Sequence, residues 1–527
     1  MERGRWHRWR GRLLAAALGM PLALAFPRPA LWWCAFVGLV PLLLWARAAP
    51  TGREAAMRGW CGGIGFFLAV DSWLLPNTGV FTAPAALFLG ALWLPLGWLG
   101  WRLLRDPLSA GRLAAAVLLL PAVWVLGEVV RSWSALGGPW ALLGASQWND
   151  RPVLAVAAIG GVWAVSFLLV AVNVAVAAAL APRPRGGPGL AGLGLAGRAG
   201  AVVVAAVLVG AAAAYGATRP APPAAGSVRV ALVQPGIIHQ VEPRFEASET
   251  ASLALGAQHP DLIVWSESSI GRDPAANPGD VARLERIVRA TGADVLANVD
   301  ARRGTGTGTG TGGGIYKNSL LIGPDGPLGS YDKMRLVPFG EYVPLRPLLG
   351  WVTHFTKAAT ENRHHGQHLV VLHAATSSGP LALGPLICFE SSFPDLGRGL
   401  ANLGADLIVI QSATTTFQGT WGPDQHASLA AVRAVESGRP VVQASISGVS
   451  AAFDPSGRRL AWYPQSWRGA AVVTMPLARA TTLYDRWGEW VPAASALIVV
   501  VAGVAAVRRR VPWRGASAVP GRADLVD

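Results

Sequence analysis

The chain has 527 residues, of which 52% are hydrophobic and 14% are charged. A soluble protein of this size needs more charge to cover its surface, so the composition excludes an ordinary soluble enzyme and indicates a membrane protein. The net charge of +15 comes mainly from arginines, many of them beside apolar segments, where topology-setting charge lies, and we expect no nucleic-acid partner.

Eight apolar stretches are candidates for helices that span a bilayer. They lie at 13–26, 31–45, 60–75, 81–101, 113–130, 153–181, 201–215 and 490–507. The first is short and follows a basic start, so a cleaved signal peptide is the alternative for it. A second apolar stretch follows almost at once, which favours a helical hairpin.

Arginine is unevenly distributed between the loops that join these stretches. It is enriched at 47–58, 102–112 and 183–198 and sparse in the loops that alternate with them. Because arginine-rich loops stay in the cytoplasm, this pattern predicts that both termini are cytoplasmic. The long segment between the seventh and eighth helices is then extracytoplasmic.

The pattern of apolar residues changes within that long segment. Short β-branched runs such as VRVALVQ (228–234) and DLIVIQS (406–412) alternate with helical patterns, which predicts an α/β domain. The low-complexity tract at 304–314 predicts a flexible loop. We therefore expect a membrane domain of about seven transmembrane helices at 1–218, an extracytoplasmic α/β domain at 219–489, a transmembrane helix at 490–510 and a cytoplasmic tail at 511–527.

Three polar residues follow predicted strands of this domain. Glu267 ends DLIVWSE, Lys333 lies in GSYDKMRLVPFGEYVP (329–344), and Cys388 ends GPLIC. The carboxyl ends of strands line the ligand crevice in α/β sheets. A thiol needs a base and a nearby cation to act as a nucleophile, and a glutamate and a lysine supply both. The lysine and the backbone N–H of Phe389 could stabilise the oxyanion of an acyl transfer.

Each of these residues alone also has a structural explanation. A lone cysteine in a strand is usually a small buried hydrophobe, as we expect for Cys34 and Cys61. A glutamate at a strand end is often solvated, and a single lysine often lies on the surface. The three cysteines make no disulfide framework.

The order of the motifs adds a resemblance that covers nearly the whole chain. LIVWSE, YDKMRLVPFGEYVP and ICFE, in this order, resemble the carbon–nitrogen hydrolase (nitrilase) superfamily. PAVWVLGEVVRSW (121–133), GGPWALLGASQ (137–147) and the other membrane flanks narrow the resemblance to the apolipoprotein N-acyltransferase family. VALVQ (230–234) and AVESGRP (434–440) also match that family's catalytic domain.

This resemblance implies an αββα sandwich on a bundle of eight helices in the bacterial cytoplasmic (inner) membrane. It implies a transfer of a fatty acyl chain from a phospholipid, through a thioester on Cys388, to the α-amino group of the diacylglyceryl-cysteine of an apolipoprotein. That transfer is the last step of lipoprotein maturation. The family uses no metal or other cofactor, and we expect the chain to act as a monomer.

The resemblance also extends the set of expected site residues. Glu341 and Glu390 match further functional glutamates of the family, and Glu341 is expected to orient Lys333. Phe389, Phe245 and Trp265 are expected to support the site or bind substrate. Three features depart from the family: Phe389 replaces a common tyrosine, Phe245 replaces a tryptophan, and QSATTTFQG (411–419) replaces SNDAWFG.

Three further features have two interpretations each. Glu128 and Arg131, one helical turn apart, form either a functional intramembrane pair or a structural ion pair. The histidines of HHGQH (364–368) have a spacing that metal sites permit, but no cysteine lies near, and we expect no metal site. The apolar segment at 343–355, with Trp351 and Phe355, forms either a membrane-touching lid or ordinary packing.

Two other classes of protein remain as alternatives to the transferase. A membrane-anchored amidase would use the same three residues with water as the acceptor. A transporter or structural membrane protein would use the outer domain only for binding, and would tolerate the loss of Cys388.

Overall fold

A computed structural model of the chain describes residues 2–105, 108–181, 195–303, 314–354 and 359–508. The tail expected at 511–527, nearly all of the tract expected to be a loop at 304–314, and Phe355 of the expected lid lie outside these residues.

The N-terminal part of the chain is helical. Its helices are α1 (Glu2–Gly19), α2 (Cys34–Val37), α3 (Val40–Arg47), α4 (Gly52–Val70), α5 (Leu75–Thr78), α6 (Thr82–Gly90), α7 (Leu94–Leu104), α8 (Ala110–Arg131), α9 (Arg151–Leu154), α10 (Ala157–Leu180) and α11 (Leu195–Thr218). After the α/β domain, the chain ends its described part in a further helix, Trp490–Arg508.

Within the described residues, five helical segments are long and apolar enough to cross a membrane. They are Ser72–Leu104, Ala110–Arg131, Ala157–Leu180, Gly197–Thr218 and Trp490–Arg508. The other three expected spans fall on α1, on α2 with α3, and on α4. Cys34–Arg47, which comprises α2 and α3, is a shorter apolar helical segment, and α4 carries Arg53, Glu54 and Arg58. The several apolar helices confirm the membrane-type helical class of this region.

Glu128 and Arg131 form an ion pair at the end of α8, with 3.7 Å between charged atoms. Glu128 Oε1 accepts a hydrogen bond of 2.7 Å from the backbone N–H of Leu143. Arg131 donates to the carbonyl oxygens of Trp140 and Ala141. The pair therefore fastens the loop after α8 to the helix, which is a structural role.

The α/β domain contains twelve described strands. They are β1 (Ala224–Gln234), β2 (Leu262–Trp265), β3 (Asp294–Arg302), β4 (Ile315–Gly323), β5 (Gly326–Asp332), β6 (Leu372–Thr376), β7 (Gly379–Ile387), β8 (Leu407–Ser412), β9 (Val441–Ser445), β10 (Ser450–Phe453), β11 (Arg459–Tyr463) and β12 (Gly469–Ala478). Strands β2 and β8 are apolar almost throughout because they are parallel central strands that are covered on both faces.

The described strands form two sheets. The first has the order β12-β1-β2-β3-β4-β5 and the second has the order β11-β10-β9-β8-β7-β6. Strands β1 to β3 run parallel, as do β7 to β9, and the flanking strands pair antiparallel. The carboxyl ends of the parallel strands of each sheet are therefore collected at one edge.

The α/β domain is a sandwich of four layers. Its remaining helices are α12 (Val241–Leu253), α13 (Pro278–Thr291), α14 (Arg346–Leu349), α15 (Pro394–Asn402), α16 (Gly422–Ser437) and α17 (Leu483–Trp487). An apolar core joins the two sheets, and a second core joins the first sheet to α12 and α13. These layers confirm the expected αββα class.

Helix α16 forms the boundary between the sandwich and the membrane helices. All of its residues are buried, and its apolar side chains share one continuous core with those of α10. The Glu436 carboxylate accepts a 2.7 Å hydrogen bond from the backbone N–H of Val162, at a kink in α10. The sandwich therefore satisfies a backbone group that the kink leaves without a helical partner.

Gly161 makes this kink possible. Its φ is +67°, and a Cβ at this position would lie 2.8 Å from the ring of Tyr484. We predict that Gly161→Ala lowers the free energy of unfolding by about 1–3 kcal/mol, because it adds left-handed strain and a collision. Thermal unfolding of the full chain in detergent micelles measures the loss.

The matched control for this prediction is Gly210→Ala in α11, where a Cβ would have no neighbour within 4 Å. That variant should be neutral or stabilised, since alanine is the better helix former. Equal melting temperatures for the two variants would contradict the role of Gly161.

Candidate active site

The structure brings together the three residues that the strand-end motifs predicted. Glu267 lies two residues after β2, Lys333 directly follows β5, and Cys388 directly follows β7. Lys333 Nζ lies 3.5 Å from Glu267 Oε1. Cys388 lies near enough to both for their charges to affect the pKa of its thiol, which Glu267 raises and Lys333 lowers. The site therefore lies where the two sheets meet at the carboxyl ends of their parallel strands.

Gln411 holds the two sheets together beneath the site. From β8 its side-chain amide donates to the carbonyl oxygens of Trp265 and Leu296 in the first sheet, at 2.8 and 3.0 Å. Its Oε1 accepts a 2.5 Å hydrogen bond from the Ser319 hydroxyl. Gln411 begins the stretch that departs from the family pattern, and here it fixes the separation of the strands that carry the site.

Cys388 occupies a sharp turn from β7 into a short 3₁₀ helix (Cys388–Ser392). Its φ of +52° lies in the left-handed region, which costs a non-glycine residue about 1–2 kcal/mol. The Ser412 hydroxyl lies 3.9 Å from its Sγ. Strain of this kind persists only where the surroundings enforce it, and it holds the thiol at the end of the strand.

Glu390 supplies much of that enforcement. It is fully buried, and its two carboxylate oxygens accept four hydrogen bonds from the surrounding segments. The donors are the Tyr331 hydroxyl at 2.7 Å and the backbone N–H groups of Met334 at 2.7 Å, Arg335 at 3.1 Å and Ile387 at 2.8 Å. Glu390 thus links the turn of Cys388 to the loop of Lys333.

Glu341 holds Lys333 from the other side. Its Oε1 lies 2.8 Å from Lys333 Nζ, and its Oε2 accepts a 2.9 Å hydrogen bond from the backbone N–H of Val337. Lys333 is completely buried, between Glu341 and Glu267. Both carboxylates raise the pKa of Lys333 against the opposing effect of burial, so it stays an ammonium ion.

Lys317 is a further charged residue of the site, and the sequence motifs did not indicate it. From β4, its Nζ reaches Glu267 Oε1 at 2.7 Å, Ser268 Oγ at 3.1 Å and Asp300 Oδ2 at 3.3 Å. The available signal was a lysine inside a strand, three residues before the apolar run LLIG, because a lysine that a strand buries needs partners of opposite charge.

The electrostatics of the site favour ionisation of Glu267 and disfavour ionisation of Cys388. Burial and the charge of Glu267 raise the pKa of Cys388 to about 12, although Lys333 and the backbone of Ala413 lower it. Burial also opposes ionisation of Glu267, but the lysines outweigh it and lower the pKa of Glu267 to about 2. The resting site therefore holds a neutral thiol beside a carboxylate.

Phe389 lies between the turn of Cys388 and the membrane domain. Its ring packs edge-on against Phe393 at 5.1 Å. A Cβ on Gly138 would lie 2.4 Å from the Phe389 ring, so the glycine admits the aromatic side chain. Phe389 therefore links the turn of the cysteine to the loop after α8.

Phe245 and Trp265 lie in the core between the first sheet and its covering helices. Their rings meet edge-on at 5.1 Å, and Trp265 Nε1 donates to Ser252 Oγ. Residues alternate in direction along a strand, so Trp265 points away from the face shared by the two sheets. A role of these two residues in substrate binding stays a prediction.

The segment expected to be a lid exposes much of its apolar surface. Leu345 is 72% exposed, Leu348 is 69% exposed and Trp351 is 52% exposed. The Trp351 ring lies 6.0 Å from the ring of Phe81 in the membrane domain. The lid stays a prediction that this exposure favours.

The histidine-rich segment has a local packing role. The His364 ring stacks on Tyr316 with 5.1 Å between ring centroids. In the part of the chain that the structure describes, no group of three or more histidine, cysteine, aspartate or glutamate side chains could hold a metal ion.

A cysteine on a strand-end turn, with a glutamate and a lysine in an αββα sandwich, defines an acyl-transferring site of the carbon–nitrogen hydrolase type. Residues 229–485 match the carbon–nitrogen hydrolase family model, and residues 18–175 match that of the apolipoprotein N-acyltransferase N-terminal domain. The chain belongs to the apolipoprotein N-acyltransferase family.

Two curated relatives carry that assignment. The chain is 32% identical to the apolipoprotein N-acyltransferase of Azotobacter vinelandii over 95% of this chain and 96% of the relative. It is 30% identical to that of Pseudomonas syringae pv. tomato over 92% and 94%. Among solved structures, a mutant of the Nesterenkonia AN1 amidase from the nitrilase superfamily has 20% identity and a TM-score of 0.36, covering 51% of this chain and 98% of that chain.

The raised pKa of Cys388 predicts a slowly alkylating thiol. At pH 7, a thiol with a pKa of about 12 holds roughly 10³-fold less thiolate than an ordinary cysteine. In a Cys34→Ser, Cys61→Ser background, iodoacetamide modification should keep accelerating up to pH 10. Intact-mass analysis at each pH measures the rate, with Cys388→Ala as the blank.

Two variants check the sign of this electrostatic effect. Glu267→Gln removes a negative charge and should lower the pKa of the thiol, whereas Lys333→Met removes a positive charge and should raise it. A rate that levels off below pH 9 in the parent protein would contradict the prediction.

Proposed function

We propose that the chain transfers a fatty acyl group from a membrane phospholipid to the α-amino group of the diacylglyceryl-modified N-terminal cysteine of an apolipoprotein. The observation that carries this proposal is the convergence of a half-buried Cys388 with the buried Glu267 and Lys333 at one site, in a chain of the apolipoprotein N-acyltransferase family. The family has a lipoprotein substrate and a phospholipid donor.

In the first step, Cys388 Sγ attacks the carbonyl carbon of a phospholipid ester. Glu267 takes the thiol proton as the sulfur–carbon bond forms, because the resting thiol is neutral and the carboxylate is ionised. Lys333 stabilises the oxyanion. The oxyanion then collapses, the lysophospholipid oxygen leaves with the proton from Glu267, and the acyl chain stays on the sulfur as a thioester.

In the second step, the α-amino group of the apolipoprotein attacks the thioester carbon. Glu267 takes a proton from the nitrogen as the amide bond forms, and Lys333 again faces the oxyanion. The carbon–sulfur bond breaks, and the proton returns from Glu267 to Cys388. The enzyme ends as it began, so no oxidant or external energy source is required.

The arginine distribution supports a placement of the sandwich on the extracytoplasmic face of the inner membrane, with both termini cytoplasmic. Several apolar helices anchor the chain, as both substrates require. Each buried methylene of a lipid contributes about 0.8 kcal/mol, so the substrates leave a bilayer reluctantly. Glu267, Lys317, Lys333, Glu341 and Cys388 all come from one chain, so the site needs no residue from a second copy.

The decisive experiment follows the acyl chain. Full-length protein in detergent is mixed with phosphatidylethanolamine, and its mass should rise by one acyl group in the wild type but not in Cys388→Ala. Addition of a diacylglyceryl-cysteinyl lipopeptide should remove that mass and acylate the peptide amine. Lys333→Met should form no acyl-enzyme, since the oxyanion loses its cation.

Other outcomes would reject the transferase. Release of free fatty acid, with no transfer to the peptide amine, would favour a membrane-anchored hydrolase. Undiminished transfer by Cys388→Ala would remove the thioester from the mechanism.

A further inference from the structure

Lys317 is closer to the acid of the site than Lys333 is. Its Nζ lies 2.7 Å from Glu267 Oε1, whereas Lys333 Nζ lies 3.5 Å from the same oxygen. The shorter contact of Lys333 is the one with Glu341, at 2.8 Å. Each lysine therefore has a different principal partner: Lys333 pairs mainly with Glu341, and Lys317 pairs mainly with Glu267.

The position of Lys317 is built into the sheet. Strand β4 lies between β3 and β5, and Lys317 is paired in register with Asp300. The carbonyl oxygen of Lys317 accepts a 2.9 Å hydrogen bond from the backbone N–H of Lys333. Only 9% of its side chain is exposed. Because the sheet fixes the backbone of Lys317 and its side chain is buried, Lys317 can hold the Glu267 carboxylate in one orientation.

Ion pairs of 2.7–3.5 Å join six side chains into one group that includes the acid. They are Glu267, Asp300, Glu341, Lys317, Lys333 and Arg363. Cys388, which follows β7 of the second sheet, and His426 of α16 also interact electrostatically with Glu267. Burial lowers the pKa of His426 to about 4, so it adds no charge at neutral pH. Loss of Lys317 would leave this buried group of charges with an excess carboxylate.

We propose that Lys317 is a positioning residue for the acyl transfer, which orients the Glu267 carboxylate and keeps it ionised so that it can accept the proton of Cys388. This inference rests on the proposed function, because it assigns the proton transfer to Glu267. The hydroxyl of Ser268 and the carboxylate of Asp300 hold Lys317 Nζ against Glu267.

The electrostatics of Glu267 agree with this role. Burial raises the pKa of Glu267, but the charges of the two lysines lower it to about 2, and the charge of Lys317 has a larger effect than that of Lys333. Removal of the Lys317 charge therefore moves this pKa upward. Below the new pKa the acid is protonated and cannot accept a proton, so the acid side of the rate profile moves to higher pH.

The test measures the rate of acyl-enzyme formation on full-length protein in detergent with phosphatidylethanolamine, from pH 4 to pH 9, by intact mass. Wild type should hold its rate down to pH 5. Lys317→Met should lose at least 10-fold more rate at pH 5 than at pH 8, whereas Lys317→Arg should keep the wild-type shape. Arg363→Met removes a charge that contacts Asp300, and its profile should shift less.

The outcomes separate this inference from the proposed function. No acyl-enzyme on the wild type at any pH would reject both. An acyl-enzyme whose pH profile has the same shape in wild type and in Lys317→Met would reject only the role of Lys317, as would equal shifts in Lys317→Met and Arg363→Met. Should Lys317→Met fail to fold, Lys317→Gln replaces it. The wild-type profile is a further test that needs no variant, because a fall in its rate on the acid side that begins above pH 5 would overturn the inference.

Discussion

The site depends on one constraint: ionised groups that leave water must find opposite charges. Each unpaired ion in a protein interior costs several kcal/mol, so a buried carboxylate persists only beside cations that the fold supplies. Here Glu267, the proposed proton acceptor, and Lys333, the lysine proposed to stabilise the oxyanion, are both buried. The layers, the strand order and the turn at the cysteine all serve to bring these charges together.

This constraint also explains why the thiol rests uncharged. A carboxylate surrounded by ammonium groups is stable, whereas a second anion beside it is not. In the proposed mechanism, the thiol therefore loses its proton only when it attacks a carbonyl group, whose oxygen then carries the negative charge near Lys333. A lipid-facing enzyme with a permanent thiolate would react with any electrophile that the membrane delivers.

Much of the architecture could be predicted from sequence, and the misses have physical causes. Glu267 and Cys388 stand at the ends of apolar runs, and Lys333 directly follows the strand GPLGSYD, so local patterns indicate the positions of all three. Lys317 lies inside strand β4 and not at its end, and the direction of its side chain depends on which face of β4 meets the second sheet. Leu321, Ser319 and Lys317 share that face, yet only the packing of two sheets identifies it as the inner one. The first three expected spans stay predictions, because the helices at these positions are too short or too charged to show a clear spanning signal.

The burial of α16 has a consequence for biosynthesis. The outer layer of the sandwich at α16 is not exposed to solvent, because α16 packs against α10 and shares an apolar core with it. During synthesis α10 emerges first, so the later strands and α16 assemble against a partner already embedded in lipid. Helix α10 thus supplies an apolar surface on which the sandwich completes its fold. A sandwich produced without the membrane helices would expose the apolar face of α16 to water, and we expect it to aggregate before its strands pair.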